Sequence, residues 1–190
     1  EFELEFVALG EMGAPAEEIQ KLGCPVIPFP LTASGKLGRI RQLKEFLLEK
    51  NYDLLHTHNA YPHFYGTLAG RLAGIPAIIQ TRHGRRFGET FNERLQFALA
   101  SRLADRVIPV SDDTGDRCRS VGWLNERKVT RIWNGIDVDR FAFSGPAAEM
   151  RAITVSRLSP EKDLATMLQA VRLVVDSIPE FVLMIVGDGP

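Results

Sequence analysis

Apolar residues recur along this chain in two alternating patterns, short continuous runs and stripes with a helical repeat. Runs rich in Val, Ile, Leu and Phe are typical of buried strands. They predict strands or extended pieces at residues 2–9, 25–29, 53–56, 77–80, 106–110, 129–133, 152–156 and 181–186.

Between the runs, the apolar stripes predict helices at residues 16–22, 37–50 and 62–73, and three helix starts follow at Thr90, Ser111 and Ser159. Thr90 forms a capping box with Glu93, and Ser111 precedes two acidic residues that favour a first turn. In the helix at residues 37–50, one apolar face is formed by Leu37, Ile40, Leu43, Phe46 and Leu47.

The repeated strand–helix units predict an α/β fold with a Rossmann-like, doubly wound parallel sheet. Residues around Ser144–Ala147 break the pattern and predict a linker. We therefore expect an N-terminal domain at residues 1–142, a linker at 143–150, and a β-α-β unit at 151–190 that begins a second Rossmann-like domain.

Polar motifs follow the predicted strands directly. They are the pair His56 and His58, the stretch Thr81-Arg82-His83, Ser111, the pair Asn134 and Gly135, and the loop from Arg157 to Lys162. In doubly wound sheets, ligands bind at the carboxyl ends of the strands. The loop from Arg157 to Lys162 places two cations at a predicted helix N-terminus, where they oppose the dipole unless an anion is present. This arrangement is consistent with a phosphate site or with two solvated surface charges.

Composition narrows the function classes. The chain has 190 residues, 45% of them hydrophobic, and a formal net charge of -1. These values indicate an ordinary soluble protein and give no support for nucleic-acid binding. Cys24 and Cys118 have no metal-type spacing and favour reduced thiols, and no apolar run reaches transmembrane length. We expect a cytoplasmic protein.

A series of motifs resembles the retaining GT-B glycosyltransferases of glycosyltransferase family 4, the group 1 glycosyl transferases. Single motifs are weak, but their order and spacing agree over nearly the whole chain. The matching stretches are residues 53–58, 65–76, 104–111, 134–141, 156–163 and 186–190.

The resemblance implies two Rossmann-like domains with the active site in the cleft between them. Arg157 and Lys162 match the basic pair that holds the donor diphosphate, and His58 matches a histidine placed near the donor sugar. The expected reaction transfers a sugar from a nucleotide-sugar with retention of anomeric configuration and without a metal ion or other cofactor. Further cleft-lining positions are expected at His83, Ser111, Asn134, Gly135, Gly187 and Gly189.

The implied partners are a nucleotide-sugar donor and a glycan or lipid-linked acceptor of bacterial polysaccharide, lipopolysaccharide or glycolipid assembly. Such acceptors suggest peripheral contact with the cytoplasmic face of the inner membrane. Six basic residues could contact anionic lipid headgroups, although solvated surface charge is the favoured reading of Lys36, Arg39, Arg41, Arg82, Arg85 and Arg86.

The sequence also departs from the family pattern. The first strand with its glycine-rich loop and the paired-glutamate motif are not found in it. Two complete domains need roughly 300 residues or more, so we expect a fragment that is inactive alone. Its N-terminal sheet should contain a gap and an exposed strand edge.

Two other functions stay open. A non-catalytic Rossmann-like module could bind a nucleotide or phosphate at Arg157 and Lys162. A metal hydrolase could use His56 and His58, which lie on one face of a strand. In the glycosyltransferase interpretation, His56 has a structural role.

Asp137-Val138-Asp139 has the form of a metal-binding DxD motif. We interpret it as a turn in which Asp137 is a local cap.

Overall fold

The structure, a computed structural model, describes residues 2–13, 15–84, 90–121, 124–143, 145 and 149–189. The chain forms two compact units, Glu1–Gly135 and Ile136–Pro190. Of the predicted linker, residues 144 and 146–148 lie outside the described residues, as do Arg85 and Arg86.

The first unit alternates strands and helices, as the apolar pattern predicts. Its elements are β1 (Phe6–Ala8), α1 (Pro15–Lys21), β2 (Val26–Pro28), α2 (Gly35–Lys50), β3 (Leu54–His58), α3 (Ala60–Leu72), β4 (Ala77–Arg82), α4 (Phe91–Leu103), β5 (Arg106–Pro109) and α5 (Asp112–Ser120). All strand pairs are parallel, which confirms the predicted fold class.

The described strands of this unit form two separate sheets, one with the order β1-β2 and one with the order β3-β4-β5. The predicted break in the sheet is therefore present. Strand β1 is shorter than the predicted strand at residues 2–9, because its partner β2 has only three residues. Phe2 and Leu4 are consequently exposed.

Two of the three predicted helix caps act as predicted, whereas the Ser159 side chain makes no cap hydrogen bond within the described residues. Thr90 and Glu93 form the capping box at the start of α4. The Ser111 hydroxyl accepts a hydrogen bond from the Thr114 N–H at the start of α5. On α2, the residues Ile40, Leu43 and Leu47 are buried, whereas Leu37 is 83% exposed and does not belong to the buried face.

The predicted strand at residues 129–133 is wrong as a regular strand. Val129 makes one isolated parallel bridge with Val107. Two further backbone hydrogen bonds follow, from Thr130 N to Val107 O (3.1 Å) and from Ile132 N to Pro109 O (3.2 Å). The neighbouring strand β5 has only four residues and offers no longer ladder.

Side-chain bonds join the amino ends of the strands in the first unit. The Asp105 carboxylate, just before β5, accepts hydrogen bonds from the Ile78 N–H (2.7 Å) and from the Arg71 guanidinium. The Nε of Arg71 donates to the Leu103 carbonyl (2.8 Å). Just before β1, Glu5 pairs with Lys50 (3.0 Å). These contacts lie at the amino ends of β1, β4 and β5, opposite the ends that carry the polar motifs.

The second unit contains β6 (Arg151–Val155), a 3-10 turn at Pro160–Lys162, α6 (Leu164–Ser177) and β7 (Val182–Val186), with β6 and β7 parallel. The predicted helix after Ser159 therefore begins as a 3-10 turn. Asp163 then has a left-handed φ of 47°, which separates this turn from α6. No helix in the described part of the chain is long and apolar enough to cross a membrane.

Candidate functional site

A histidine cluster occupies the carboxyl end of β3. The prediction that the pair His56 and His58 follows the strand is wrong. Both residues lie within β3, because the pairing with β4 continues to His58 opposite Thr81. Alternate residues of a strand share a face. The two rings accordingly lie side by side, with centroids 4.2 Å apart.

His83, which follows β4, joins this cluster. Its Nε2 lies 2.9 Å from the Nδ1 of His58, so one imidazole donates a hydrogen bond to the other. The Nε2 of His56 lies 2.8 Å from the Thr81 hydroxyl. The strand register thus brings together two residues that were predicted separately.

The cluster lowers the basicity of its own members. Desolvation by neighbouring protein atoms, together with the nearby His56 and His83 rings, lowers the pKa of His58 to about 4. Desolvation and His83 also lower the pKa of His56. His58 is therefore neutral at pH 7, where it can hydrogen-bond a hydroxyl but does not carry a positive charge.

Asn59 connects the cluster to α3 through strained backbone. Its φ of 64° and ψ of -177° fall in a region that is otherwise almost restricted to glycine. Two backbone hydrogen bonds hold it there, from Asn59 N to Thr81 O and from His63 N to Asn59 O, both 3.2 Å. No local pattern predicts this strain, since an Asn after a strand is also common in ordinary turns.

A second polar group is buried in the same unit. His63 is 1% exposed; its Nε2 lies 3.0 Å from the Ser101 hydroxyl and its Nδ1 lies 3.2 Å from the Thr67 hydroxyl. Burial and the nearby Arg82 lower the pKa of His63 to about 3. Arg82 is itself only 4% exposed, so it is neither a solvated surface charge nor a contact for lipid headgroups, and both readings of it are wrong.

Three other predicted positions take no part in the histidine cluster. The Ser111 hydroxyl donates to Thr114 Oγ1 (2.9 Å) and caps α5. Asn134 and Gly135 are exposed. A Cβ on Gly135 would meet no atom within 4 Å, so packing does not require glycine there.

In the described part of the chain, no group of three or more His, Cys, Asp or Glu residues is arranged to hold a metal ion.

The Asp137-Val138-Asp139 motif forms a turn in which Asp137 is a local cap, as predicted. The Oδ1 of Asp137 accepts hydrogen bonds from the N–H groups of Asp139 (3.1 Å) and Arg140 (3.0 Å).

In the second unit, backbone hydrogen bonds hold the loops after β6 and β7 against each other. Leu158 N donates to Asp188 O (2.8 Å) and Ser156 N donates to Val186 O (3.0 Å). A Cβ on Gly187 would lie 1.8 Å from the Ser156 carbonyl oxygen, and one on Gly189 would lie 2.5 Å from that of Leu158. Both glycines are therefore required by close backbone approach, which fixes the path of the basic loop.

Arg157 and Lys162 lie on this loop with different surroundings. An Nη of Arg157 lies 2.8 Å from a carboxylate oxygen of Glu161. Lys162 forms no ion pair within the described residues, and its backbone N–H donates to Ser159 O (2.9 Å). The sequence reading named both cations but missed Glu161, although the spacing of four residues between Arg157 and Glu161 was visible.

The chain is similar to a family of known proteins. The model of the family described as Glycosyltransferase Family 4 matches residues 1–140. An Escherichia coli UDP-Gal:alpha-D-GlcNAc-diphosphoundecaprenol alpha-1,3-galactosyltransferase is 26% identical over 77% of this chain and 43% of its own length. A phosphatidyl-myo-inositol mannosyltransferase of Mycobacterium tuberculosis is 25% identical over 84% of this chain and 45% of its own length.

Among solved structures, Anabaena Alr3699/HepE in complex with UDP superposes with a TM-score of 0.78 at 20% identity, covering 98% of this chain and 53% of that one. This likeness shows the fold. The chain spans less than half the length of the two sequence relatives.

Proposed function

Because the chain belongs to the family described as Glycosyltransferase Family 4, we propose that the protein transfers a sugar from a nucleotide-sugar donor to a glycan or lipid-linked acceptor. The activities of the two relatives support this class of reaction: one acts on a UDP-sugar and a diphosphoundecaprenol acceptor, and one is a mannosyltransferase. The proposal includes retention of anomeric configuration and catalysis without a metal ion.

The observation that carries the proposal is the fixed basic loop of the second unit. Gly187 and Gly189 allow the two loops to touch through their backbones, which holds the segment that carries Arg157 and Lys162 in place. Cations held in advance around a leaving diphosphate stabilise the charge that develops as the glycosidic bond breaks. We assign Arg157 and Lys162 to this role.

In the first unit, we assign His58 to the donor sugar. Its lowered pKa keeps the imidazole neutral at pH 7, and its Nδ1 is occupied by His83. Its Nε2 can therefore exchange a hydrogen bond with a sugar hydroxyl in a fixed direction. His83 sets that direction, and Ser111, Asn134 and Gly135 are proposed to line the same site at the edge of the sheet.

We further propose peripheral contact with an anionic membrane through α2. Lys36 and Arg41 are exposed on this helix, on either side of the exposed Leu37. An exposed apolar side chain between two cations suits the boundary between lipid headgroups and acyl chains. A lipid-linked acceptor would then be reached from the membrane surface.

The donor site is tested by titrating the full-length protein with UDP-, GDP- and ADP-sugars. Loss of a charge-assisted contact in Lys162→Ala should weaken binding of the preferred nucleotide roughly tenfold or more. Arg172→Ala removes a cation from α6 of the same unit and should leave the affinity unchanged. If no nucleotide-sugar binds, or if Lys162→Ala binds as the unaltered protein does, the assignment is wrong.

A further inference from the structure

The basic loop of the second unit contains its own anion. The Glu161 carboxylate lies 2.8 Å from the Arg157 guanidinium, with side-chain exposures of 39% and 77%. Within the described residues, Lys162 has no such counterion. One of the two cations assigned to the donor is thus paired in this structure, and the other is not.

This pairing reduces the electrostatic cost of placing Arg157 and Lys162 together before a helix. Two cations that precede a helix face the positive end of its dipole, and their mutual repulsion adds to the cost. Glu161 lies between them in the 3-10 turn Pro160–Lys162, which the hydrogen bond from Asp163 N to Pro160 O (3.1 Å) closes. A carboxylate at this position compensates the local positive charge when no ligand is bound.

We propose that Glu161 is a resident counterion that occupies Arg157 in the ligand-free protein and is displaced from it by the donor diphosphate. This inference rests on the proposed function, since it takes Arg157 as a diphosphate ligand. A single carboxylate competes with any incoming anion for the same guanidinium. An anion therefore has to offer Arg157 more negative charge than one carboxylate does, which favours a nucleoside diphosphate over singly charged anions.

The test is calorimetric titration of the full-length protein with UDP at low salt, where exposed charges are least screened. Glu161→Gln keeps the shape of the side chain and removes the competing charge. Exposed ion pairs of this kind are weak, so the dissociation constant for UDP should fall by about threefold. In the Arg157→Gln background, the same Glu161→Gln change should give a much smaller gain, because the competition no longer exists.

Asp176→Asn is the matched control. Asp176 pairs with Arg172 at the same i,i+4 spacing (3.3 Å) in α6 of the same unit. Its removal changes the net charge by the same amount without touching the loop. It should leave the affinity for UDP unchanged, which separates competition at Arg157 from a general effect of charge.

The outcomes separate the two proposals. If Lys162→Ala weakens UDP binding but Glu161→Gln leaves it unchanged or weaker, the counterion role is wrong and the donor site stands. The counterion role is also wrong if Glu161→Gln gains as much without Arg157 as with it, or if Asp176→Asn gains equally. If the unaltered protein does not bind UDP or another nucleotide, both proposals fall.

Discussion

The buried His63 should make the protein less stable as the pH falls. Its pKa is lowered to about 3 in the folded protein by burial and by Arg82, against about 6.5 for an exposed histidine. Between these two values the unfolded chain binds a proton that the folded chain does not. The free energy of unfolding therefore decreases as the pH falls below about 6.5, and it is fully recovered above that value.

The size of the effect follows from one linked proton. In the unfolded chain, roughly a quarter of the His63 rings carry the proton at pH 7 and nearly all do at pH 5, which amounts to about 2 kcal/mol. The folded ring takes up almost no proton at either pH. The result therefore holds for any folded pKa well below 5.

The assay is urea denaturation at pH 7 and pH 5, monitored by circular dichroism, with His63→Asn as the comparison. An asparagine amide can hydrogen-bond the Thr67 hydroxyl, which lies 3.2 Å from the Nδ1 of His63, but it does not titrate. Each protein is compared with itself at the two pH values, so the cost of the smaller side chain cancels. The unaltered protein should lose about 2 kcal/mol more than the variant. Equal losses would show that His63 is not held neutral.

Three further results are expected. Gly66→Ala should destabilise the protein by about 1–2 kcal/mol, because the new Cβ would lie 2.9 Å from Cγ2 of the buried Thr57. Gly38→Ala, whose Cβ would meet no atom closer than 3.4 Å, should instead stabilise α2 by about 0.5–1 kcal/mol. Equal urea unfolding midpoints for the two variants would contradict this difference. Replacing Lys36 and Arg41 together by Gln should reduce sedimentation of the full-length protein with anionic vesicles but not with neutral ones, and undiminished sedimentation would exclude membrane contact through α2.

Short-range signals made most of the fold predictable. The capping box of Thr90 and Glu93, the Ser111 cap and the Asp137 turn depend on residues a few positions apart, and all three are confirmed. The alternation of runs and stripes likewise predicted the order of strands and helices. These features need no knowledge of distant contacts.

Features that depend on distant contacts were harder to predict. The pairing of His58 with His83 requires the register of β3 against β4, which no local pattern encodes. Arg82 was grouped with surface cations because of its charge. Arg82 lies four residues after the buried Ile78 on β4, and residues four apart on a strand share a face. This spacing in the sequence already indicates that Arg82 lies on the covered face. Leu37 shows the reverse error, an apolar residue with helical spacing that no neighbour covers.

The bonds that connect the amino ends of the strands have a consequence for evolution. Asp105 and Arg71 join α3, β4 and β5 at the edge away from His58 and His83. Substitutions in the loops at the edge that carries His58 and His83 therefore leave these hydrogen bonds intact. A lineage can exchange those loops while the scaffold stays folded, and a library of variants restricted to that edge should retain a high proportion of folded members.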